Sequence, residues 1–308
     1  MSAMNPLRLR ALRHVSLNCT SLDDARSFYT DAWGLETVHD DDGRLCLRGT
    51  GPEHHILDLV SSDVPGLRHV AFAVAVPRDV EAAAERLVAG GVALEFDPRE
   101  SDGPGGGYEV GFRDPEGRLI VLSAKVAAVA PRNTGEARPF SLSHVVLNTV
   151  DMATAVDFWT DVIGFRISDW SEDQMVFLRC SANHHSIAFT RAEWTSVNHI
   201  AYELPTVEAF LQRIGQLRQA GIEPLWGAGR HGPGSNAFGY YGDPIGYVPE
   251  VTTGLDQVDE ETWVPRVWQR VPDQSDLWGT AGPPSSEARR RMAGLPDPTS
   301  PSYQGANR

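Results

Sequence analysis

The sequence predicts an α+β protein of four βαβββ modules, which pair into two domains that each form a curved mixed sheet closing around a pocket. An internal duplication is the first observation behind this prediction. The stretch "HVSLNCTSLDDARSFYTDAWGLE" from His14 aligns with "HVVLNTVDMATAVDFWTDVIGFR" from His144 at an offset of 130. Eight of the ten histidines fall into four pairs in this alignment. Two halves with one shared pattern are expected to share one fold.

Each half also contains its own repeat, which is the second observation. His69 and His199 open further strand-like runs, "HVAFAVA" and "HIAYEL", and a helical pattern follows each run. After the first helical pattern of each half, Gly34 and Gly164 stand where a helix is expected to end. Short alternating runs with turn signals such as "DDDG" then indicate hairpin strands. The order strand, helix, three strands thus occurs four times.

The domain boundaries follow from this repeat and from composition. We expect a degenerate, non-catalytic first domain over residues 10–125 and a second domain with the metal site over residues 140–255. The stretch "KVAAVAPRNTGEARP", residues 125–139, is the expected linker. Residues 256–308 form a C-terminal tail whose end is rich in Pro, Ser and Gly, and which is expected to lie on the surface or on a neighbouring subunit. A homo-oligomer is expected, and three tryptophans near the tail suit a subunit contact if they are exposed: Trp263, Trp268 and Trp278.

Charge and composition exclude several classes of partner. The chain has 308 residues and a formal charge of −14, so nucleic acid and anionic membranes would be repelled. No apolar run approaches the roughly 20 residues of a membrane span. The N-terminus "MSAMNPLRLRALRH" lacks the apolar core of a signal peptide. Three cysteines without a C-x-x-C pair are expected to be free thiols in a reducing cytoplasm.

Two histidines and one glutamate form a predicted metal site. His144 and His199 begin the first strands of the third and fourth modules at the same phase, so both can point into one pocket. Glu250 lies in the last strand of the fourth module, "GYVPEVTTG". Two imidazoles and one carboxylate from three strands make a facial triad, which leaves three positions open on an Fe(II) or similar ion.

The first half keeps only part of this set. His14 and His69 are present, but Val121 stands at the position of Glu250, and valine cannot bind a metal. We therefore expect no catalytic metal in the first half.

These residues resemble the vicinal oxygen chelate superfamily, and more closely the two-domain (type I) extradiol catechol dioxygenases. The resemblance covers about residues 10 to 255. In that family a histidine beside the metal lies in a stretch like "HHSIAF", which carries an acid–base role to His185. A histidine and a tyrosine ahead of the ligating glutamate match His231 and Tyr240, which would donate hydrogen bonds to the substrate oxygens. One departure is Pro249 directly before the glutamate, which leaves a ladder hydrogen bond of that strand in doubt.

The first half again lacks the matching residues, since Asp102 and Gly111 stand at the positions of His231 and Tyr240. Without the resemblance, ordinary structural roles would also suit the residues of the second half. The pair His184 and His185 could be one exposed and one packed strand histidine, Tyr240 a buried core aromatic, and His231 a solvated loop residue. The sequence does not predict which way four aromatic side chains face: Trp170, Phe177, Phe189 and Trp194.

The resemblance implies a reaction and a cofactor. Fe(II), with Mn(II) as a possibility, would bind the two adjacent oxygens of a catechol, and both atoms of O2 would enter a muconic semialdehyde-type product, as in the catabolism of aromatic hydrocarbons. The charges favour this arrangement, because a divalent ion, one carboxylate from Glu250 and a singly deprotonated catechol sum to zero in a dry pocket. His185 would take the second proton as a general base.

Two alternatives on the same fold stay open at this point. A glyoxalase-like isomerase or lyase would use Zn, Ni or Mn and usually a second carboxylate ligand, which neither His144 nor His199 supplies. A non-catalytic small-molecule-binding protein could dispense with the metal ligands, which this chain retains. Metal content separates the binding protein from the enzymes, and oxygen consumption separates the isomerase from the dioxygenase.

Overall fold

The computed structural model describes residues 7–132 and 137–300, which form two mixed sheets with helices packed against them. The first half contains these strands: β1 Leu9–Cys19, β2 Glu36–Asp41, β3 Arg44–Arg48, β4 Leu57–Ser61, β5 Gly66–Val74, β6 Leu94–Glu100, β7 Tyr108–Arg113 and β8 Leu119–Ala124. Its helices are α1 Leu22–Ser27, extended by a π-helical turn Phe28–Ala32, and α2 Pro77–Ala89.

The second half repeats this order and adds elements at its end. Its strands are β9 Ser141–Thr149, β10 Arg166–Ser171, β11 Met175–Arg179, β12 Ile187–Arg191, β13 Ser196–Glu203, β14 Trp226–Arg230, β15 Ala237–Tyr240, β16 Pro249–Thr253 and β17 Arg266–Trp268. Its helices are α3 Met152–Asp157, extended by a π-helical turn Phe158–Ile163, α4 Val207–Gln219, a 3₁₀ turn Pro233–Ser235, α5 Pro272–Ser275 and α6 Ser286–Ala293.

Sheet topology confirms the predicted fold class of four βαβββ modules in two pairs. The first sheet has the order β2-β3-β4-β1-β5-β8-β7-β6, and the second has the order β14-β15-β16-β13-β9-β12-β11-β10-β17. In each sheet the first strands of the two modules meet as an antiparallel pair, β1 with β5 and β9 with β13. Each module then extends outward from that central pair, so the centre of the sheet is where residues of both modules come together.

The first helix of each half ends as the sequence predicts. Gly34 has φ +85° and Gly164 has φ +94°, which are left-handed conformations that favour glycine. Space is also short at Gly34, where an added Cβ would lie 2.6 Å from the guanidinium of Arg213 on α4. Trp33 directly follows the π-helical turn of the first half, and Trp159 lies within that of the second half. Both tryptophans are fully buried.

The two halves bind each other through equivalent hydrogen bonds. Arg118 of the first half donates from Nη2 to the carbonyl of Asn148 at 2.5 Å. Tyr247, its counterpart in the second half, donates from its hydroxyl to the carbonyl of Asn18 at 2.7 Å. Asn18 and Asn148 are themselves counterparts, so each half reaches the first strand of the other in the same way.

Aromatic packing fills the interface that these bonds border. Trp33 of the first half contacts Tyr202 and Tyr241 of the second, with ring centroids 5.6 and 5.7 Å apart. Trp159 of the second half contacts Phe72 of the first at 5.8 Å. Such buried aromatic contacts stabilise the interface beyond the area they remove from water.

The connection between the halves lies along the first half. The amide of Val129 donates to the carbonyl of Pro52, and the amide of Thr50 donates to the carbonyl of Pro139, each at 2.9 Å. Residues 133–136 of the predicted linker lie outside the described residues. The expected domain limits, residues 10–125 and 140–255, stay predictions.

The C-terminal segment, residues 256–300, packs on the second half of its own chain. Strand β17 pairs in parallel with β10, and α6 buries Ala288 completely. The amide of Asp297 donates to the carbonyl of Thr195 at 2.8 Å. These long-range contacts hold the segment in place, while the limits of the expected tail stay a prediction. The last eight residues, 301–308, lie outside the described residues.

Among the described helices, none combines the length and the apolar character needed to cross a membrane.

We predict that Tyr247→Phe lowers the free energy of unfolding by about 2 kcal/mol, since a buried donor or acceptor left unpaired costs about 1–3 kcal/mol. The substitution would leave the carbonyl of Asn18 and the buried amide of Gly66, which donates to the Tyr247 hydroxyl at 2.7 Å, without this partner. Urea unfolding measures the loss. Tyr241→Phe at the same interface is the matched control, because its hydroxyl makes no hydrogen bond within the described residues. Equal loss from both variants would contradict the prediction.

Candidate metal centre

Three neighbouring strands bring the predicted metal-binding residues to one face of the second sheet. Strand β13 lies between β9 and β16, and its residue Ala201 is paired with both His144 on β9 and Glu250 on β16. His199, also on β13, is two residues from Ala201 and therefore lies on the same face. The sheet alone thus places the two histidines and the glutamate together.

The three side chains converge on one point. Glu250 Oε2 lies 3.2 Å from His144 Nε2 and 3.3 Å from His199 Nε2, and the candidate ligand atoms lie within 4.8 Å of one another. Glu250 is completely buried, and its Oε2 receives no hydrogen bond. A buried carboxylate oxygen with no donor is costly unless a cation lies beside it. The donor set therefore fits a divalent ion such as Fe(II) or Mn(II).

Hydrogen bonds orient the ligand side chains toward that point. His144 Nδ1 lies 3.0 Å from the hydroxyl of Ser143, and His199 Nδ1 lies 2.7 Å from the amide oxygen of Asn198. Contacts of this kind at the other ring nitrogen fix the orientation of metal-binding histidines and leave Nε2 free. Asn236 donates to Glu250 Oε1 at 3.3 Å, so only Oε2 faces the histidines without a donor.

Pro249 does not disrupt the strand that carries the glutamate. It is the first residue of β16, where a proline is tolerated. The carbonyl of Pro249 accepts a hydrogen bond from the amide of Tyr241 at 2.9 Å. On the other side, the amide of Ile200 donates to the carbonyl of Val248, the residue before Pro249. The missing N–H therefore falls where the ladder begins.

His144 and His199 line a cavity of about 530 Å³, and Glu250 lies buried beside them. Other residues predicted for the site also line it: His185, His231 and Tyr240. The C-terminal segment supplies one wall, which the sequence did not predict, with Trp268, Gln274, Arg289 and Met292. Of the four aromatics left open by the sequence, Phe177 and Trp194 line the cavity. Phe189 is buried in the hydrophobic core, and Trp170, which is partly buried, packs against that core.

Tyr240 and His231 form a hydrogen-bonded pair at the cavity wall. His231 Nδ1 lies 3.3 Å from the carbonyl of Ser275, so it carries the proton, and Nε2 accepts from the Tyr240 hydroxyl at 2.8 Å. Burial lowers the pKa of His231. Burial, and then the nearby Glu250, raise the pKa of Tyr240 well above its ordinary value. Both groups are therefore neutral near pH 7.

His185 is a neutral, buried imidazole beside the metal-binding residues. Its ring lies 4.2 Å from that of His144, measured between centroids, and its Nδ1 lies 3.0 Å from Nδ1 of His184. Burial, and then the neighbouring His144, lower the pKa of His185 well below its ordinary value. Both histidines of the pair are buried, so neither is the exposed residue that the sequence allowed.

The first half places its equivalent histidines differently. His14 and His69 contact each other directly, with 2.7 Å between their Nε2 atoms. The nitrogen with which each would bind a metal is therefore engaged by the other histidine. Val121 is buried at the position of Glu250. Within residues 7–132 and 137–300, only His144, His199 and Glu250 form a group of three or more possible metal-binding side chains.

Comparison with known proteins agrees with this geometry. Residues 11–122 and 141–251 match the profile of the Glyoxalase/Bleomycin resistance protein/Dioxygenase superfamily. The chain belongs to this superfamily. Each matched range corresponds to one pair of βαβββ modules, so both halves are members although only the second brings a full ligand set together within the described residues.

Two relatives are similar in sequence. Metapyrocatechase 2 of Cupriavidus necator is 31% identical over 196 residues, which cover 56% of this chain and 60% of that protein, less than two thirds of its length. Manganese-dependent 2,3-dihydroxybiphenyl 1,2-dioxygenase of Geobacillus genomosp. 3 is 27% identical over 295 residues, covering 86% of this chain and 91% of that protein. The resemblance stated from the sequence is thereby confirmed at the level of the family.

One solved structure is similar along nearly its whole length. The crystal structure of the Mn(II)-bound glyoxalase from Novosphingobium aromaticivorans has a TM-score of 0.86 and 35% sequence identity. The match covers 91% of this chain and 94% of that one.

The duplication supplies a matched test of which half binds the metal. We predict that His199→Ala reduces bound metal from about one ion per chain to a small fraction, because it removes one of three ligand atoms. His69→Ala changes the equivalent residue of the first half and is predicted to leave metal content unchanged. Elemental analysis after dialysis measures both variants, with thermal melting as a folding control. Loss of metal in His69→Ala, with the fold retained, would contradict the prediction.

Proposed function

We propose that the protein is an extradiol ring-cleaving dioxygenase, which binds a catechol through both oxygens and inserts both atoms of O2 to give a muconic semialdehyde-type product. The observation that carries this proposal is the convergence of His144, His199 and Glu250 beside a cavity that a neutral His185 also lines. The names of the two sequence relatives support the same class of reaction.

His144, His199 and Glu250 would hold the metal, Fe(II) or alternatively Mn(II). When bound, the ion supplies a site for the two adjacent oxygens of the ring and lowers the pKa of the hydroxyl that it contacts. Glu250 contributes one negative charge and neutral imidazoles contribute none, so the site accepts one further anion before its net charge becomes negative. A singly deprotonated catechol meets that condition, whereas a dianion would carry excess charge in a dry pocket.

His185 is the proton acceptor for the second catechol hydroxyl in this proposal. Its neutral state at pH 7 leaves one ring nitrogen free to accept a proton, and the residue lines the cavity beside His144. Once protonated, His185 can return the proton to an oxygen of the ring-opened product.

Tyr240 and His231 orient the substrate. The proton of His231 is held on Nδ1 by Ser275, so Tyr240 donates to His231 in the absence of substrate. A substrate oxygen arriving at the metal would offer the Tyr240 hydroxyl a second, anionic acceptor within the cavity. Trp226 stacks on Tyr240 with an angle of 15° between the rings and keeps it from rotating away.

A glyoxalase-like isomerase is the second candidate, and the 35% identity to the Mn(II)-bound glyoxalase favours it. Within the described residues no second carboxylate joins the metal-binding group, which favours the dioxygenase.

The three cysteines are free, which fits the proposed reducing cytoplasm. Burial raises their pKa values to about 11 for Cys19, about 12 for Cys46 and about 11 for Cys180. A homo-oligomer stays a prediction.

Oxygen uptake tests the proposed function. Protein reconstituted anaerobically with Fe(II) is given monocyclic, bicyclic and carboxylated catechols, and O2 consumption is compared with formation of a yellow product. We expect one O2 consumed for each product molecule. Glu250→Gln, which keeps the shape of the side chain, should abolish both. Absence of uptake from wild-type protein that demonstrably holds iron would remove the dioxygenase proposal and favour the isomerase.

His185→Gln separates the proton acceptor from the metal-binding residues. We expect this variant to keep its metal and to lose about 100-fold or more in kcat, the usual contribution of a general base. Stopped-flow absorbance with the best catechol measures kcat, and elemental analysis measures the metal. Full turnover in His185→Gln would exclude the residue from the mechanism.

A further inference from the structure

We propose that Asp169 and His184 are positioning residues, which hold the proton of His185 on Nδ1 so that its Nε2 lone pair is available to the cavity. This inference rests on the proposed function, because it concerns the residue proposed there as proton acceptor. Neither Asp169 nor His184 was assigned a role from the sequence. Neither belongs to the group of candidate metal-binding side chains.

A continuous chain of hydrogen bonds connects these residues. Asp169 Oδ2 lies 3.1 Å from His184 Nε2, and His184 Nδ1 lies 3.0 Å from His185 Nδ1. Asp169, His184 and His185 are all buried, with 1%, 0% and 2% of their surface exposed. Water therefore cannot replace these partners, and each nitrogen must match its neighbour as donor or acceptor.

The carboxylate at one end fixes the direction of the chain. Asp169 can only accept, so His184 carries its proton on Nε2 and its Nδ1 is an acceptor. His185 must then donate from Nδ1 to His184, which leaves Nε2 of a neutral His185 without a proton. A base needs this tautomer, because the other one would present an N–H to the catechol hydroxyl.

The C-terminal segment holds Asp169 in place. Trp268 donates from its indole N–H to Asp169 Oδ2 at 2.6 Å, and the amide of Arg266 donates to Oδ1 at 2.7 Å. Trp263 packs edge-on against His184 with ring centroids 5.3 Å apart. These two donors hold the carboxylate in place as an acceptor, and His184 is the third donor to it. The segment therefore supports the proton acceptor as well as forming a wall of the cavity.

The first half shows what the chain becomes without the carboxylate. His54 and His55, the counterparts of His184 and His185, keep the same 3.0 Å contact between Nδ1 atoms. At the position of Asp169 stands His39, which is partly exposed and pairs with Asp41 instead. The half that lacks the metal-binding glutamate thus also lacks the carboxylate behind its histidine pair, as expected if Asp169 serves the reaction and not the fold.

Asp169→Asn should reverse the proton arrangement. Because Trp268 donates to the same Oδ2 as His184, Asp169→Asn and Asp169→Glu are both made in a Trp268→Phe background, with Trp268→Phe alone as the control. The amide then keeps the size of the side chain, accepts from the Arg266 amide through its oxygen and offers an N–H toward His184. His184 would then carry its proton on Nδ1, and His185 would have to accept there and hold its own proton on Nε2. A carboxylate-to-amide change behind a catalytic histidine has this effect on the tautomer in serine proteases.

Nitrogen NMR of the histidine rings tests this directly. Protein labelled with ring ¹⁵N-histidine and loaded with diamagnetic Zn(II) is compared as wild type, Asp169→Asn and Asp169→Glu, with His185→Gln used to assign the His185 signals. We expect a protonated Nδ1 and an unprotonated Nε2 for His185 in wild type, reversal in Asp169→Asn and restoration in Asp169→Glu. His39→Asn, the change at the equivalent position of the first half, should leave the His185 signals unchanged.

Activity gives a second readout on the Fe(II)-loaded protein. Relative to Trp268→Phe alone, Asp169→Asn should lower kcat at least tenfold with little change in metal content and KM, and Asp169→Glu should recover part of that loss. An Nε2-protonated His185 in the wild-type spectrum would overturn the inference even if a variant failed to fold, as would unchanged His185 signals in folded Asp169→Asn. Wild-type protein that consumes no O2 would instead remove the proposed function, while the spectra still decide the tautomer.

Discussion

A buried carboxylate beside two imidazoles is the constraint on which the rest of the site depends. Glu250 has no exposed surface, and its Oε2 has no hydrogen-bond donor although two ring nitrogens lie 3.2 and 3.3 Å away. Such a group is stable only with a cation, so the protein must build a rigid frame that holds the three side chains until the ion arrives. The three adjacent strands β9, β13 and β16 provide that frame, with Ala201 paired to both sides.

The duplicated architecture explains how one half can specialise. The first half keeps the same sheet order of its two modules as the second. Arg118 of the first half donates a hydrogen bond to the second half, and Tyr247 of the second half donates the equivalent bond to the first. Freed from metal binding, its histidines His14 and His69 bond to each other. The second half gains the C-terminal segment, which closes its cavity and contacts residues behind His185. Stability is thus shared between the halves, whereas the proposed chemistry belongs to one.

The repeat made much of this structure predictable. An offset near 130 residues places Val121 against Glu250 and identifies the half with the full ligand set, because equivalent positions in equivalent modules face the same way. The helix ends at Gly34 and Gly164 were predictable for a local reason. Both residues adopt a left-handed backbone conformation that favours glycine. The fold class followed from the order of elements within each repeat.

Long-range contacts were beyond such reasoning. An aspartate within a strand gives no local signal, and Asp169 acquires its partners from His184 and from Trp268, which lies 99 residues further along the chain. The C-terminal segment has the composition of a surface tail, yet Asp297 and α6 hold it against the second half. The facing of Phe177 and Phe189, on adjacent strands, depends on strand register and on what covers each face.

The measurement that tests the account most directly is the anomalous diffraction signal of crystals of Mn(II)-loaded protein. The account predicts one peak, bound by His144, His199 and Glu250, and none between His14 and His69. A peak in the first half, or an ion in the second half that Glu250 does not contact, would contradict it.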